Sequence, residues 1–358
     1  MTTEQDFAST LDASTRQLPL VTVAIPAFNA CETLCAAIDS VLAQTYPNIE
    51  IIVVDDGSTD DTRRVLLAYG DRLQYHYQPN GGLAKARNEG VSRARGAFIV
   101  LMDADDVCMP ERISVQLAVM RSIPGAALCG SDFSTFDKNG PIAAQGASWY
   151  YSKVREASKG YASLYPDQHT LVVDDGFGGK IEVEVFAGDV ALELCSGNFV
   201  HPPTVMFKRE LFGGCGPFDE ALRNHSDWEW ITRAGAAGKF VHINRPLLNY
   251  RISPTQKSSP QRRIERAVDL VQVAKNVSFR HANIPHSFRV KIDDGLMEMQ
   301  LDAADALAEV QKQKAGQLFF QGLRWQDLVS SRIYAIALKI ILPAGFIRII
   351  RKARGHIS

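Results

Sequence analysis

Two short runs of acid stand at the ends of two unbroken apolar stretches, and this pairing constrains the chain more than any other feature. Asp55-Asp56 closes Ile51-Ile52-Val53-Val54, and Asp103-Ala104-Asp105-Asp106 closes Phe98-Ile99-Val100-Leu101-Met102. Continuous rather than alternating apolar runs mark strands buried on both faces, as in a parallel sheet covered by helices. In such a sheet ligands bind beyond the carboxyl ends of the strands. Two acidic clusters delivered to that edge can hold the polar edges of a nucleotide and a divalent cation.

The rest of the first half keeps this rhythm. Leu20–Ile25 and Glu50–Val54 read as buried strands, Leu73–Tyr77 as a short one, and Ala126–Cys129 as another. Helical spacing runs through Leu34, Ile38, Val41 and Leu42 in 32–43, and helices are expected over 59–69, 83–95 and 111–121. Ser58 or Thr59 suits an N-cap there, Asp60-Asp61 suits the first turn, and Pro110 suits a helix entry. The expected fold class is α/β, a mostly parallel sheet with helices on both faces plus a helical C-terminal extension. Residues 135–195 carry short β-like stretches at 171–173 and 181–186 and read as an insertion. A strand is expected at 204–207 and a helix at 227–237. After Pro260 helical spacing returns, through Ile264, Ala267, Val268 and Val271, then through Leu296, Ala303, Leu307 and Val310.

A net charge of −1 argues against a general nucleic-acid binder, which carries a basic face. Six cysteines at 31, 35, 108, 129, 195 and 215 form no CxxC pair. A reducing cytoplasm is therefore expected, with neither a disulfide framework nor a structural zinc site. The first twenty residues show no charged segment followed by an apolar core, so no secretory signal is expected.

Six ordered motifs carry a resemblance. Val21-Thr-Val-Ala-Ile-Pro-Ala-Phe-Asn29 with Glu32, Ser40-Val-Leu-Ala-Gln-Thr-Tyr-Pro47 and Val54-Asp-Asp-Gly-Ser-Thr-Asp60 open the series. Asn80-Gly-Gly-Leu-Ala-Lys-Ala-Arg-Asn88 and Leu101-Met-Asp-Ala-Asp-Asp106 follow, and Gly216-Pro-Phe-Asp-Glu220 with Ser226-Asp-Trp-Glu-Trp230 completes it. Together, over residues 20–250, they resemble family 2 glycosyltransferases of the GT-A fold. The resemblance implies a domain at 19–255, with 135–195 on the acceptor side, between a flexible 1–18 and a helical 256–358.

It also implies roles. Pro26, Phe28, Asn29, Glu32, Asp55 and Asp56 would line the nucleotide pocket, with Asp56 on the base. Asp105, with Asp103 nearer the ribose or metal, would hold Mn²⁺ or Mg²⁺ against the diphosphate, since hard cations take oxygen ligands. Asp106 suits a cap of the next turn instead. Lys85, Arg87 and Asn88 follow Gly81-Gly82 toward phosphate. Lys85 and Arg87 cannot share a helix face, so at most one points at the donor, and the sequence leaves open which. Asp227 is the expected general base of an inverting transfer, although Ser226 replaces the glutamate of the family's Glu-Asp pair. Glu229 stands in reserve. Trp228 and Trp230 are candidates to stack on acceptor sugars, and His201 for the same side.

Gln321-Gly-Leu-Arg-Trp325 spells the Q-x-x-R-W pattern of processive members, but 94 residues after Asp227, so it reads as coincidence and the enzyme as non-processive. Residues 323–358 carry seven basic side chains against one acid. The stretch 333–350 is apolar but broken by Lys339, Pro343 and Arg348, and the basic tail 332–354 around it reads as an amphipathic anchor on an anionic membrane face. The expectation is a metal-dependent enzyme at the inner membrane face, moving a sugar from a nucleotide-diphosphate donor, UDP-linked by preference. Its acceptor would be a hydroxyl of a lipid-linked or glycan molecule in envelope or exopolysaccharide synthesis. Alternatives are a sugar-nucleotide-forming nucleotidyltransferase, disfavoured because Pro26-Ala-Phe-Asn29 replaces a glycine-rich basic loop, and a non-catalytic nucleotide-sugar-binding scaffold.

Overall fold

The computed structural model describes residues 18–253, 263–279, 286–308, 310–322 and 331–341. Its first strand, β1 (Val21–Ala27), is buried along its whole length. Helix α1 (Leu34–Leu42) returns the chain to β2 (Ile49–Asp55), and α2 (Thr62–Leu67) leads to β3 (Gln74–Tyr77). Helix α3 (Leu83–Arg93) then leads to β4 (Phe98–Leu101). β3, β2, β1 and β4 lie side by side and parallel. The register pairs Ala27 with Asp55 and Ala24 with Leu101. Both acidic clusters therefore leave the sheet at the same edge, one on each side of β1.

Helix α3 ends at Arg93, two residues short of the expected Arg95, because the Arg95 and Gly96 amides donate to buried Glu50. Neither Ser58 nor Thr59 caps α2, whose N-cap is Asp61. Ser58 Oγ accepts from the Asn29 amide and the Thr59 amide donates to Asn29 Oδ1, so these residues tie the two carboxyl-end loops together instead. Gly57 takes φ 79°, and a Cβ there would lie 2.7 Å from the Asn80 nitrogen, so only glycine lets the β2 loop pass this close.

Beyond β4 the sheet is mixed. A two-residue β5 (Val107–Cys108) precedes α4 (Arg112–Ser122) and the long β6 (Ala126–Asp137). β6 runs well past the expected Cys129 because the later β11 lies beside it as far as Phe136. The segment read as an insertion supplies β7 (Gly140–Ala143), short helices α5 (Gly146–Tyr150) and α6 (Ser152–Glu156), and a hairpin of β8 (Asp167–Asp174) and β9 (Lys180–Gly188). Helix α7 (Ala191–Cys195) leads on to β10 (Met206–Lys208), which starts two residues later than expected because Pro202–Thr204 forms a 3₁₀ turn. Helices α8 (Arg209–Cys215) and α9 (Ser226–Gly235) precede β11 (Lys239–Arg251). β10 sits antiparallel between β4 and β6, and β9 is antiparallel to β11, so the hairpin extends the same sheet.

Among the described residues four further helices follow, α10 (Arg263–Phe279), α11 (His286–Leu307), α12 (Lys312–Gly322) and α13 (Ser331–Ile341). They share a core of Val271, Leu301, Leu307, Phe319, Ile333 and Ile336. Of the expected apolar faces, Val271, Ala303 and Leu307 are buried, whereas Ile264 and Val310 are exposed. Val273, Ala274 and Ile292 pack against Cys195 and Trp228, which docks α10 and α11 on α7 and α9.

Candidate active site

At the end of β2 both aspartates are buried. Asp55 Oδ1 accepts from the Ser58 amide and Oδ2 from the Tyr75 hydroxyl, so this carboxylate closes its own turn rather than facing the cleft, a correction to its expected donor contact. Asp56 Oδ1 accepts from Gln78 Nε2 and the Gly81 amide, and Oδ2 from the Gly82 amide. Adjacent like charges are tolerated because each is hydrogen-bonded separately. Asp56 thereby clamps the Gly81-Gly82 loop that opens α3. Pro26 lies within β1; Phe28, Asn29 and Glu32 are exposed on the neighbouring loop. Lys85 is exposed as well, with its stem over Gly81.

The second cluster divides. Asp103 and Asp105 are part-exposed, whereas Asp106 is fully buried, with Oδ1 accepting from the Arg251 amide of β11. Asp106 caps no turn, contrary to expectation: it pins β11 to the acidic loop. Arg251 Nε adds a bond to the Asp105 carbonyl. Burial, then the charge of Asp103, pushes the Asp105 carboxyl up to about 6. Burial, then Asp105 and Asp103, lifts Asp106 well above the usual carboxylate range.

Arg87 points inward from α3. It is 2% exposed, Nη2 donates to Asp103 Oδ1 at 2.9 Å, and Nη1 lies 3.6 Å from Asp227 Oδ2. Nη1 makes no hydrogen bond. Burial alone would lower the guanidinium's pKa; Asp103 and then Asp227 outweigh it and raise the value. One cation thus joins the D-x-D loop to the candidate base. Asn88, one position on, turns elsewhere: it brackets the backbone of Phe218 and bonds Glu220, stapling the Gly216–Glu220 loop to α3 instead of meeting the donor.

Asp227 stands in the first turn of α9, a quarter exposed, with Oδ1 accepting from the Trp228 amide. His225 enters that turn at φ 59°, which directs the chain sharply before the helix begins. The tryptophans beside Asp227 do not face an acceptor. Trp228 and Trp230 are 1% and 0% exposed, and their indole nitrogens donate to the carbonyls of Leu194 and Gly216. Two apart on α9, they point to different sides, and both are buried because the helix is packed on both: Trp228 against α10 and α11, Trp230 against Phe207 and Phe218, which corrects their expected stacking role. Glu229 is buried and paired with Arg233 through both oxygens, which removes it as a reserve base.

His201 is buried too, stacked on Phe133 with ring centroids 3.9 Å apart and its Nδ1 3.0 Å from the Tyr151 hydroxyl. Burial, then the charges of Arg112 and Arg87, holds its pKa down to about 3, so it is a neutral wall element rather than an acceptor contact. Sequence reasoning overlooked Arg251, Gln78 and Tyr151. Arg251 meets the acids across 145 residues, a pairing that no local pattern announces.

Asp103 and Asp105 offer two hard carboxylate donors on one loop, crowded enough to raise the pKa of Asp105. Among the described residues no group of three or more His, Cys, Asp or Glu could hold a metal ion. The pair therefore suits a cation that takes its other ligands from water and phosphate, as Mg²⁺ does.

Residues 22–176 match the family model described as glycosyl transferase family 2. An uncharacterized glycosyltransferase of Rickettsia prowazekii is 31% identical over 244 residues, covering 67% of this chain and 66% of its own length. The chain belongs to glycosyltransferase family 2. Other curated relatives of the family are covered over still less of their length, 62% for one from Rickettsia typhi and 33% for one from Rickettsia felis. Among solved structures, residues 1–349 of S. aureus TarS in complex with UDP-GlcNAc superpose with TM-score 0.57 at 16% identity, over 90% of this chain and 88% of that one. The mannosyltransferase PcManGT from Pyrobaculum calidifontis, in complex with GDP-Man and Mn²⁺, gives TM-score 0.54 at 18% identity, over 91% of this chain and 86% of that one. At such identities the likeness concerns the GT-A fold of this family 2 member and leaves its ligands open.

Proposed function

We propose that this family 2 member is an inverting, non-processive glycosyltransferase that uses a UDP-sugar and a divalent cation. The carrying observation is the Arg87 bridge, which brings Asp103 of the D-x-D loop and Asp227 of α9 to one guanidinium. Asp227 would take the proton from the acceptor hydroxyl as its oxygen attacks the anomeric carbon and the nucleoside diphosphate departs from the opposite face. Asp103 and Asp105 would hold Mn²⁺ or Mg²⁺, which when bound stabilises charge on the leaving diphosphate. The loops carrying Pro26, Phe28, Asn29 and Glu32, with the loop clamped by Asp56, would wall the nucleotide. Lys85, exposed at the start of α3, would approach the phosphates. TarS with UDP-GlcNAc supports a uridine donor and PcManGT with Mn²⁺ supports a cation.

UDP with Mn²⁺ is expected to raise the melting temperature, because a ligand that binds only the folded state stabilises it. EDTA should abolish the shift. Asp227→Asn should keep the shift and lose transfer. Full transfer by Asp227→Asn would remove Asp227 from the chemistry, and a shift indifferent to EDTA would remove the metal.

The acceptor would be a lipid-linked or glycan hydroxyl in envelope or exopolysaccharide synthesis, met at the inner membrane face. No helix among the described residues is long and apolar enough to cross a membrane. On α13, Tyr334, Leu338 and Ile341 share an exposed stripe, and α13 opens the basic segment 332–354, whose residues from 342 lie outside the described structure. The family pattern at 321–325 also runs outside it after Gly322. Co-sedimentation with anionic but not neutral vesicles is the expected behaviour, lost on truncation before residue 331. Equal binding to both vesicle types would refute charge-assisted anchoring.

A further inference from the structure

We infer that Trp149, backed by Tyr150, is the ledge on which a pyranose ring of the acceptor stacks. The inference rests on the glycosyltransfer reading above and names the acceptor side of the same cleft. Trp149 is 50% exposed, the one exposed tryptophan among the described residues. A large apolar ring held open on a short helix suits the apolar face of a sugar, whose C–H bonds meet the ring while its hydroxyls stay in water.

Position ties this ring to the cleft by two routes. Tyr150 packs edge-on against Tyr250 at 5.8 Å between centroids, and the next residue, Arg251, holds the acidic loop through Asp105 and Asp106. Tyr150 also meets Tyr151 at 4.9 Å and His201 at 5.5 Å. Tyr151 is close enough to Asp227 to sense its charge, and His201 close enough to sense Arg87. The aromatic layer thus runs from Phe133, His201 and Tyr250 out to Trp149. Its inner members are buried and packed on one another: Tyr151 bonds His201 and the Val200 carbonyl, and His201 stacks on Phe133, with its Nε2 left without a hydrogen-bond partner. Trp149 touches only Tyr150 among the rings, at 6.4 Å, and its carbonyl accepts from Arg155, which fixes the end of α5 without covering the indole. Gly146 makes this possible: a Cβ there would strike the Phe133 ring, so glycine alone lets α5 sit flat on β6.

The test uses the full chain with UDP and Mn²⁺ present. Methyl glycosides of glucose, galactose, mannose and N-acetylglucosamine are titrated while intrinsic tryptophan emission is followed. At least one should change the emission saturably, and Trp149→Ala should abolish that change. Measured by titration calorimetry, Trp149→Ala should weaken the affinity of the responding glycoside about tenfold or more, the factor that 1.4 kcal/mol represents. Trp149→Tyr should restore most of it. The UDP-dependent melting shift should be the same in all three proteins, because the ledge is assigned to the acceptor and not to the nucleotide. An unchanged affinity in Trp149→Ala, or a wild-type emission indifferent to every glycoside while UDP is bound, overturns the ledge. Absence of any UDP shift in the wild type overturns the underlying glycosyltransfer reading instead.

Discussion

Arg87 is the residue on which the proposed chemistry turns. A guanidinium can address two carboxylates at once from a fixed plane, which an ammonium cannot. Arg87→Met would leave Asp103 and Asp227 facing each other across an apolar gap. Removing one partner of a fully buried pair costs about 3–5 kcal/mol; the cost here is smaller, because both acids are about a quarter exposed and water screens them. Transfer should fall much further than stability does. Arg87→Lys should keep the fold and still fail to restore transfer, since one point charge cannot hold both acids in register. Parallel measurement of kcat and melting temperature checks this; a Lys variant with wild-type kcat would show that charge alone suffices.

Helix α9 carries the candidate base, yet much of what holds it lies outside the strand-and-helix core. Asn224 Nδ2 bonds Asp269 of α10, and Trp228 packs with Val273, Ala274 and Ile292. Helix α11 approaches α7 so closely that a Cβ on Gly295 would collide with the Ser196 carbonyl. The C-terminal helices therefore brace the turn that aims Asp227. Trp228→Ala should cost about 3–5 kcal/mol, as large aromatic truncations in cores do, and should lower kcat in the fraction that remains folded. Trp228→Phe fills most of the volume and should be milder on both counts. Denaturant midpoints with kcat at a fixed donor concentration decide it; a Trp228→Ala protein with normal kcat would uncouple the helices from catalysis.

Across the whole molecule, two buried neutral histidines set the acid limit. His201 lies in the aromatic layer and His242 lies against Tyr161 at 3.5 Å between centroids, and burial holds both at about 3. An unfolded histidine titrates near ~6.5. Below that value the unfolded chain takes up protons that the folded chain refuses until about 3. Stability is thus fully present above the unfolded value and declines as pH falls, by about 1.4 kcal/mol per pH unit for each histidine. Between ~6.5 and ~5 the Asp105 carboxyl, held up to about 6, takes up its proton in the folded chain first and works against this trend, so the histidine contribution is read as the difference between the wild type and His242→Phe. Melting temperature should fall across this window, and less steeply in His242→Phe. Equal slopes in the wild type and His242→Phe would show that the His242 ring can be protonated in the folded state.

Residues 20–130 were readable because their strands are buried on both faces, so local composition already states the environment; the same runs end in acid, which announces the ligand edge. The D-x-D pair and the turn after β2 follow from that alone. Side-chain direction did not follow. Trp228, Trp230 and Glu229 share a helix with Asp227, and only the packing of α9 between the sheet and α10–α11 shows that they point inward. The inward turn of Arg87, Asp106 bound to β11, and the open ring of Trp149 likewise depend on contacts between segments far apart in the chain. Local pattern reports how buried a residue is on average, whereas the partner that meets its polar atoms is chosen only when distant segments pack.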